Sequence, residues 1–122
     1  MKKMPNGTTF NQRDIILIPF PYSDMSTTKR RPVVILSNKD HNLNNEDFIC
    51  CAITSNERNY KNSIEIKPEH LESGRLLEGS RVKPNKIVSL AKKLSLKKIA
   101  KLNITKSKEV VSKLNIFIKI DE

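Results

Sequence analysis

Arg31-Pro32-Val33-Val34-Ile35-Leu36-Ser37 decides the reading of this chain. Val33, Val34 and Ile35 are β-branched in succession, which suits a strand buried on both faces. Pro32 biases Arg31 toward extended backbone and fits the first position of a strand. A guanidinium that stays charged at any ordinary pH is therefore expected at the mouth of a buried strand, where it can meet a phosphate.

Upstream, Asp14-Ile15-Ile16-Leu17-Ile18-Pro19-Phe20 is a second continuous apolar run and reads as the first strand. Residues 21–30 between the two runs carry Pro, Ser, Thr and Asp and read as a loop. Downstream, residues 37–46 are rich in Asn and read as an exposed loop. Phe48 to Thr54 reads as a third strand, residues 55–61 as a polar loop, and the alternating residues 63–67 as an edge strand. Pro68 to Glu72 fits one helical turn, stopped by Gly74. Residues 79–84 and 86–91 look like two short strands, and residues 97–102 are ambiguous. Thr105 is a plausible helix cap, and Val110, Val111, Leu114, Phe117 and Ile118 fall on one helical stripe. No internal repeat or interdomain linker is visible. Several short strands and one C-terminal helix predict a mainly β fold: a small, partly open barrel with a helix packed on it.

A chain of 122 residues fits a single domain, 1–122, with residues 1–12 as a loose N-terminal arm. The hydrophobic share of 37% is low, but the apolar residues are clustered, which argues for folding rather than disorder. Lys and Arg number 23 against 13 Asp and Glu, a formal charge of +10 that favours polyanionic partners. No apolar run approaches a membrane span, and the basic start is followed by no apolar signal core, so the chain reads as cytoplasmic with no membrane partner. Cys50 and Cys51 are adjacent and would point to opposite faces of a strand, so they are read as small buried residues rather than a disulfide.

The usual nucleophilic sets are missing: there is no GxSxG, no Cys with an evident His partner and no paired carboxylates of obvious spacing. Asp, His and Cys are too scattered for a metal site, and only three glycines are present, so neither a metal nor a nucleotide cofactor is expected. What remains is basic and hydroxyl chemistry in Arg31, Thr54, Ser55, Arg81 and Lys83, with Tyr22 and His41 beside them. Read alone, Arg31 is as readily a solvated surface residue as a phosphate ligand, and Thr54 is ordinary strand-end packing.

Four segments together carry a resemblance. Asp14 to Asp24 resembles the opening strand and loop of the PemK/MazF family of toxins from type II toxin–antitoxin systems. Lys29-Arg30-Arg31-Pro32-Val33-Val34-Ile35-Leu36-Ser37 resembles its arginine–proline strand. Ala52-Ile53-Thr54-Ser55 and Ser80-Arg81-Val82-Lys83-Pro84-Asn85-Lys86-Ile87 resemble its strand end and later hairpin. The resemblance implies an SH3-like barrel of the CcdB/PemK type with a C-terminal helix, and a homodimer. It implies a metal-independent endoribonuclease that cuts single-stranded RNA at short sequences by 2′-hydroxyl attack. It implies an acidic antitoxin partner, with DNA bound only through the antitoxin complex. On the family pattern Arg31 and Thr54 are the catalytic residues, and Tyr22, Ser55, Arg81, Lys83 and Asn85 are expected to contact RNA.

Two positions depart from that pattern. Asn85 stands where some relatives have an acidic residue, and an amide cannot act as a carboxylate base; His41 is a possible substitute. Arg13 stands where a glycine is usual, before Asp14. The alternative reading is a non-catalytic relative, or a growth inhibitor that binds a protein or RNA on the same barrel. Lys92, Lys93, Lys97 and Lys98 read as a solvated basic face able to attract RNA without choosing a sequence.

Overall fold

The computed structural model describes residues 9–21, 28–55 and 61–122. Seven strands form one curled, half-barrel sheet: β1 (Asp14–Pro21), β2 (Thr28–Ile35), β3 (Asp47–Thr54), β4 (Ile64–Glu65), β5 (Leu71–Gly74), β6 (Arg81–Ala91) and β7 (Lys97–Leu102). Their order across the sheet is β4-β6-β3-β2-β1-β7-β5, and every neighbouring pair is antiparallel. Helix α1 (Lys39–Asn44) joins β2 to β3, and α2 (Ile104–Phe117) follows β7. No helix among the described residues is long and apolar enough to cross a membrane.

The continuous apolar runs are strands covered on both sides, as their composition predicts. Ile15 and Val34 belong to a core shared with Cys51, Val82, Leu102 and Val110 of α2. Their chain neighbours Ile16 and Val33 turn the other way, into a second core with Phe10, Phe48 and Cys50. Each such side chain contributes about 1.5–3 kcal/mol relative to exposure. Burial pushes both the Cys50 and the Cys51 thiol up to about 12, in Cys50 with help from the neighbouring Cys51 charge, so both stay protonated near neutral pH. Residues 1–8 of the N-terminal arm lie outside the described residues; at its end Phe10 is buried and Gln12 Nε2 donates to the Leu36 carbonyl at 2.8 Å.

Several expectations need correction. β2 begins at Thr28, so residues 28–30 are strand rather than loop, and Arg31 and Pro32 lie inside the strand rather than at its mouth; the apolar pattern starts only at Val33 because the first half of β2 pairs with β1 alone. Residues 39–44 are helical, not loop: Asn38 caps the turn by accepting from the His41 N–H at 3.0 Å, and Asn42 is buried with hydrogen bonds to Ser37. The helical turn expected over Pro68–Glu72 ends at His70, and Leu71 already belongs to β5. Residues 81–91 form one strand, not two. Its register against β3 jumps from Ile87 opposite Cys51 to Lys83 opposite Ala52, so Pro84-Asn85-Lys86 bulge out, a setting that suits a residue with no N–H. The cap of α2 is Asn103, which accepts from the Lys106 N–H at 2.8 Å; Thr105 is already inside the helix. Of the expected stripe only Val110 is fully buried, while Ile118 is 63% exposed and Val111 lies at the surface.

The basic face is also partly structural. Lys92 Nζ donates to the Asn42 carbonyl and sits 5.6 Å from the centre of the Phe48 ring. Lys98 and Lys101 bring their ammonium groups to 3.1 and 3.5 Å from Asp14 Oδ1, whose carboxylate is fully buried and takes the Asn11 N–H on its other oxygen at 2.8 Å. A buried carboxylate without such partners would cost several kcal/mol.

Arg13 has φ of 76°, a left-handed conformation that disfavours any residue with a Cβ. Its neighbours hold it there. Its N–H donates to the Ile35 carbonyl at 2.8 Å, its guanidinium donates to the Leu102 carbonyl at 2.9 Å, and it pairs with Glu72. Arg13→Gly removes the backbone penalty and loses a half-exposed ion pair worth little. It should change stability by less than about 1 kcal/mol, whereas Arg13→Ala keeps the penalty, loses the contacts and should cost about 1–2 kcal/mol more. Urea unfolding of the two variants side by side checks the order, and an alanine variant as stable as the glycine variant would contradict it.

Candidate active site

Register gathers the site. Val33 of β2 lies opposite Ala52 of β3, and Ala52 lies opposite Lys83 of β6. Two residues along each strand return to the same face, so Arg31 and Thr54 share it. Thr54 in turn lies opposite Arg81, and Arg81 opposite Glu65 of β4. A row therefore crosses four strands, Arg31, Thr54, Arg81 and Glu65; the last three are paired with backbones about 4.8 Å apart, and Arg31 lies two residues past the last β2–β3 pair, Val33 with Ala52. Lys83 stands beside it over the small Ala52. Ile18, opposite Arg31 on β1, closes the row on its apolar side.

Local chemistry fixes these groups. Pro32, four residues into β2, keeps Arg31 extended, and Arg31, Thr54 and Lys83 are each held by interactions of their own. Arg81 Nε donates to Ser63 Oγ at 2.6 Å, which draws its guanidinium toward β4. The Cys51 thiol donates to the Lys83 carbonyl at 2.9 Å and ties down the strand where the bulge begins. Asn85 is exposed in that bulge. The arrangement offers several cationic donors and a hydroxyl on one face, a set suited to a phosphodiester.

Not every expected residue joins the row. Tyr22 lies outside the described residues, as does most of the loop expected over 55–61. Ser55 belongs to the opposite face and lines a cleft of about 650 Å³ with Arg30, Arg75 and Ser80, a cleft that Arg31 of the row also borders. His41 lies in α1, beyond the far end of β2 from Arg31, and its Nδ1 faces the Asn45 amide at 3.4 Å; it does not stand in for a base beside the row. Sequence reasoning missed Glu65, Arg30 and Arg75. Alternation in residues 63–67 marked a strand, but nothing local said that Glu65 would face Arg81.

A second cleft, also about 650 Å³, opens between β4 and α2 and includes Glu65, Lys67, His70, Lys106, Glu109 and Lys113. Its charges are mixed, with Lys106 paired to Glu109 at 2.9 Å. His70 Nδ1 accepts the Lys67 N–H at 2.9 Å, which places the proton of the neutral ring on Nε2.

The half-barrel, the helix behind it and the row on its face define a toxin-type fold. Residues 11–118 match the family described as PemK-like, MazF-like toxin of type II toxin-antitoxin system, and the chain belongs to that family. Among solved structures it is similar to a MazE-MazF complex from Deinococcus radiodurans, at 17% identity and a TM-score of 0.74 over 93% of this chain and 100% of the other. An endoribonuclease in complex with its cognate antitoxin from Mycobacterial species is similar at 15% identity, with a TM-score of 0.73 over 93% and 99%. The toxin MazF-mt6 from Mycobacterium tuberculosis is similar at 16% identity, with a TM-score of 0.69 over 90% and 100%. At these identities the likeness shows the fold. Comparison with curated protein sequences found no match.

Proposed function

We propose that this toxin is an endoribonuclease that cuts single-stranded RNA without a metal ion. The observation that carries the reading is the row itself: register alone brings Arg31, Thr54, Arg81 and Lys83 onto one face of the sheet. In the proposed reaction the ribose 2′-oxygen forms a bond to the adjacent phosphorus and the bond from phosphorus to the 5′-oxygen breaks. The leaving 5′-oxygen takes a proton from water, and the products are a 2′,3′-cyclic phosphate and a 5′-hydroxyl. Arg31 donates two coplanar hydrogen bonds to the phosphorane oxygens and Thr54 adds a third. Arg81 and Lys83 hold the flanking backbone. Arginine remains protonated and does not act as base. The carboxylate in the row is Glu65, about two strand spacings from Thr54, and we assign it the 2′ proton.

Family membership supports two partners. The first is a second copy of the chain. The second is an antitoxin with an acidic segment suited to a surface of charge +10. Ile104, Val111, Ile116, Ile118 and Ile120 are exposed along α2 and the residues after it, and give either partner apolar anchors that surface charge pairs could not replace. The family and the fold are consistent with action in the cytoplasm.

The test is direct. Purified protein in EDTA is incubated with mixed-sequence single-stranded RNA, and the ends of the fragments are identified. Discrete fragments with 5′-hydroxyl ends are expected, and Glu65→Gln should lower their rate by about 10²-fold or more. Asn85, with no carboxyl group beside Lys83, favours the competing reading of a non-catalytic binder. RNA that is retained but never cut would establish that reading instead.

A further inference from the structure

The cleft at the β2–β3 end borders the row at Arg31, but its other lining residues lie outside the row and are not explained by it. Its floor is apolar, formed by Leu17, Ile53, Leu76 and Ile99. Its remaining walls bring together the guanidinium-bearing residues Arg30, Arg31 and Arg75 and the hydroxyls of Ser55 and Ser80. No carboxylate lines it among the described residues, whereas the equally large cleft beside α2 carries Glu65 and Glu109 among its lysines. A cavity walled by cations of one sign and floored by hydrocarbon fits a ligand with an anionic end and a flat apolar body.

Position narrows the ligand further. Arg30 and Ser55 are the immediate chain neighbours of Arg31 and Thr54, so they lie just through the sheet from the row. Arg75 arrives from the far side. Gly74 packs its backbone against Ile99 and Ala100, and the Arg75 N–H donates to the Ile99 carbonyl at 3.2 Å, which fixes the base of that side chain beside the cleft. Ser80 is buried, and its hydroxyl donates to the Leu77 carbonyl at 2.6 Å, which leaves its oxygen lone pairs to accept. A strand of RNA that placed one phosphate at Arg31 and Thr54 could turn over the sheet end and lay its next nucleotide here.

We infer that this cleft is a nucleotide subsite: Arg30 and Arg75 take a phosphate and the base lies on Leu17, Leu76 and Ile99. The inference rests on the ribonuclease reading for its biological meaning, but binding of a single nucleotide does not require cleavage. Arg75 is the residue that distinguishes the subsite, because it belongs to the cleft and not to the row.

The experiment titrates the full chain with each of the four nucleoside 5′-monophosphates and, separately, with inorganic phosphate, following backbone amide resonances. Shifts are expected at Leu17, Ser55, Leu76 and Ser80, with at least one nucleotide binding more tightly than phosphate. Arg75→Ala, whose spectrum should otherwise keep the wild-type pattern, should weaken that nucleotide about tenfold, the loss of one charge-assisted contact. Arg75→Lys should recover only part of the affinity. Equal affinity for phosphate and nucleotides would overturn the role of the apolar floor. Shifts confined to Lys83, Asn85 and Glu65, or an Arg75→Ala variant that binds as the wild type does, would overturn the subsite. So would an octaglutamate peptide that shifts the same amides while the nucleotides do not, because the cleft would then take an acidic peptide. Nucleotide binding in a protein that never cuts RNA would leave the subsite standing and remove only the ribonuclease reading.

Discussion

Arg31→Ala should lower RNA cleavage by about 10²–10³-fold while leaving the melting temperature within a few degrees of wild type. The size follows from what the guanidinium is asked to do. Negative charge on the phosphorane oxygens grows as the 2′-oxygen attacks, so a donor already fixed in place stabilises the transition state more than the bound RNA. Arg31 is fixed by its position in β2, opposite Ile18 and beside the proline that keeps it extended. Stability should change little because the side chain is half-exposed, lies past the last pair of β2 with β3, and belongs to neither core cluster. Arg31→Lys should be nearly as poor, since one ammonium cannot place two coplanar hydrogen bonds. Because the loss is confined to the transition state, kcat should fall far more than KM rises. A variant that melts normally and cuts RNA at close to the wild-type rate would remove Arg31 from the chemistry, and with it the role of the row.

The sequence carried this residue clearly and its surroundings only in part. Continuous β-branched runs identify β1 and β2 because strands covered on both sides have no polar face to interrupt the pattern. Thr54 was legible as a strand end, whereas Arg31 lies inside β2, and their sharing a face depends on how β2 registers with β3, a non-local fact. Glu65 was hidden for the same reason: its significance comes from lying opposite Arg81, sixteen positions along the chain. Helix α1 was hidden differently. It has no apolar stripe, and its stability comes from the Asn38 cap and the buried Asn42–Ser37 contacts, which look like loop chemistry when read in line. Strand β5 is short and exposed and shows no alternation, so only its pairing with β7 makes it a strand. The resemblance to known toxins supplied the order of these pieces, which short motifs alone could not.

Gly74→Ala should be far more damaging than Gly79→Ala, lowering stability by about 3 kcal/mol or more and the melting temperature by about 10 °C. Two effects act together. Gly74 has φ of 78°, where a side chain is strained in any surroundings. A Cβ there would also stand 2.1 Å from the Ile99 carbonyl oxygen and 2.5 Å from Ala100 Cα. Both atoms are backbone of β7, which is held by β1 on its other side, so β7 cannot retreat. The edge strand β5 must lift instead, breaking its pairs with Lys101 and Ala100. Gly79→Ala separates the two effects, because Gly79 has φ of 81° but its Cβ would meet nothing within 4 Å. That variant should lose only the backbone term, about 1 kcal/mol. Hydrogen exchange should then show the damage of Gly74→Ala concentrated along β5 and β7, with β2 and β3 protected and the row of Arg31 and Thr54 retained. Equal losses in the two glycine variants would mean that β5 yields freely, and Arg75, which follows Gly74 directly, would then have no rigid support at the cleft.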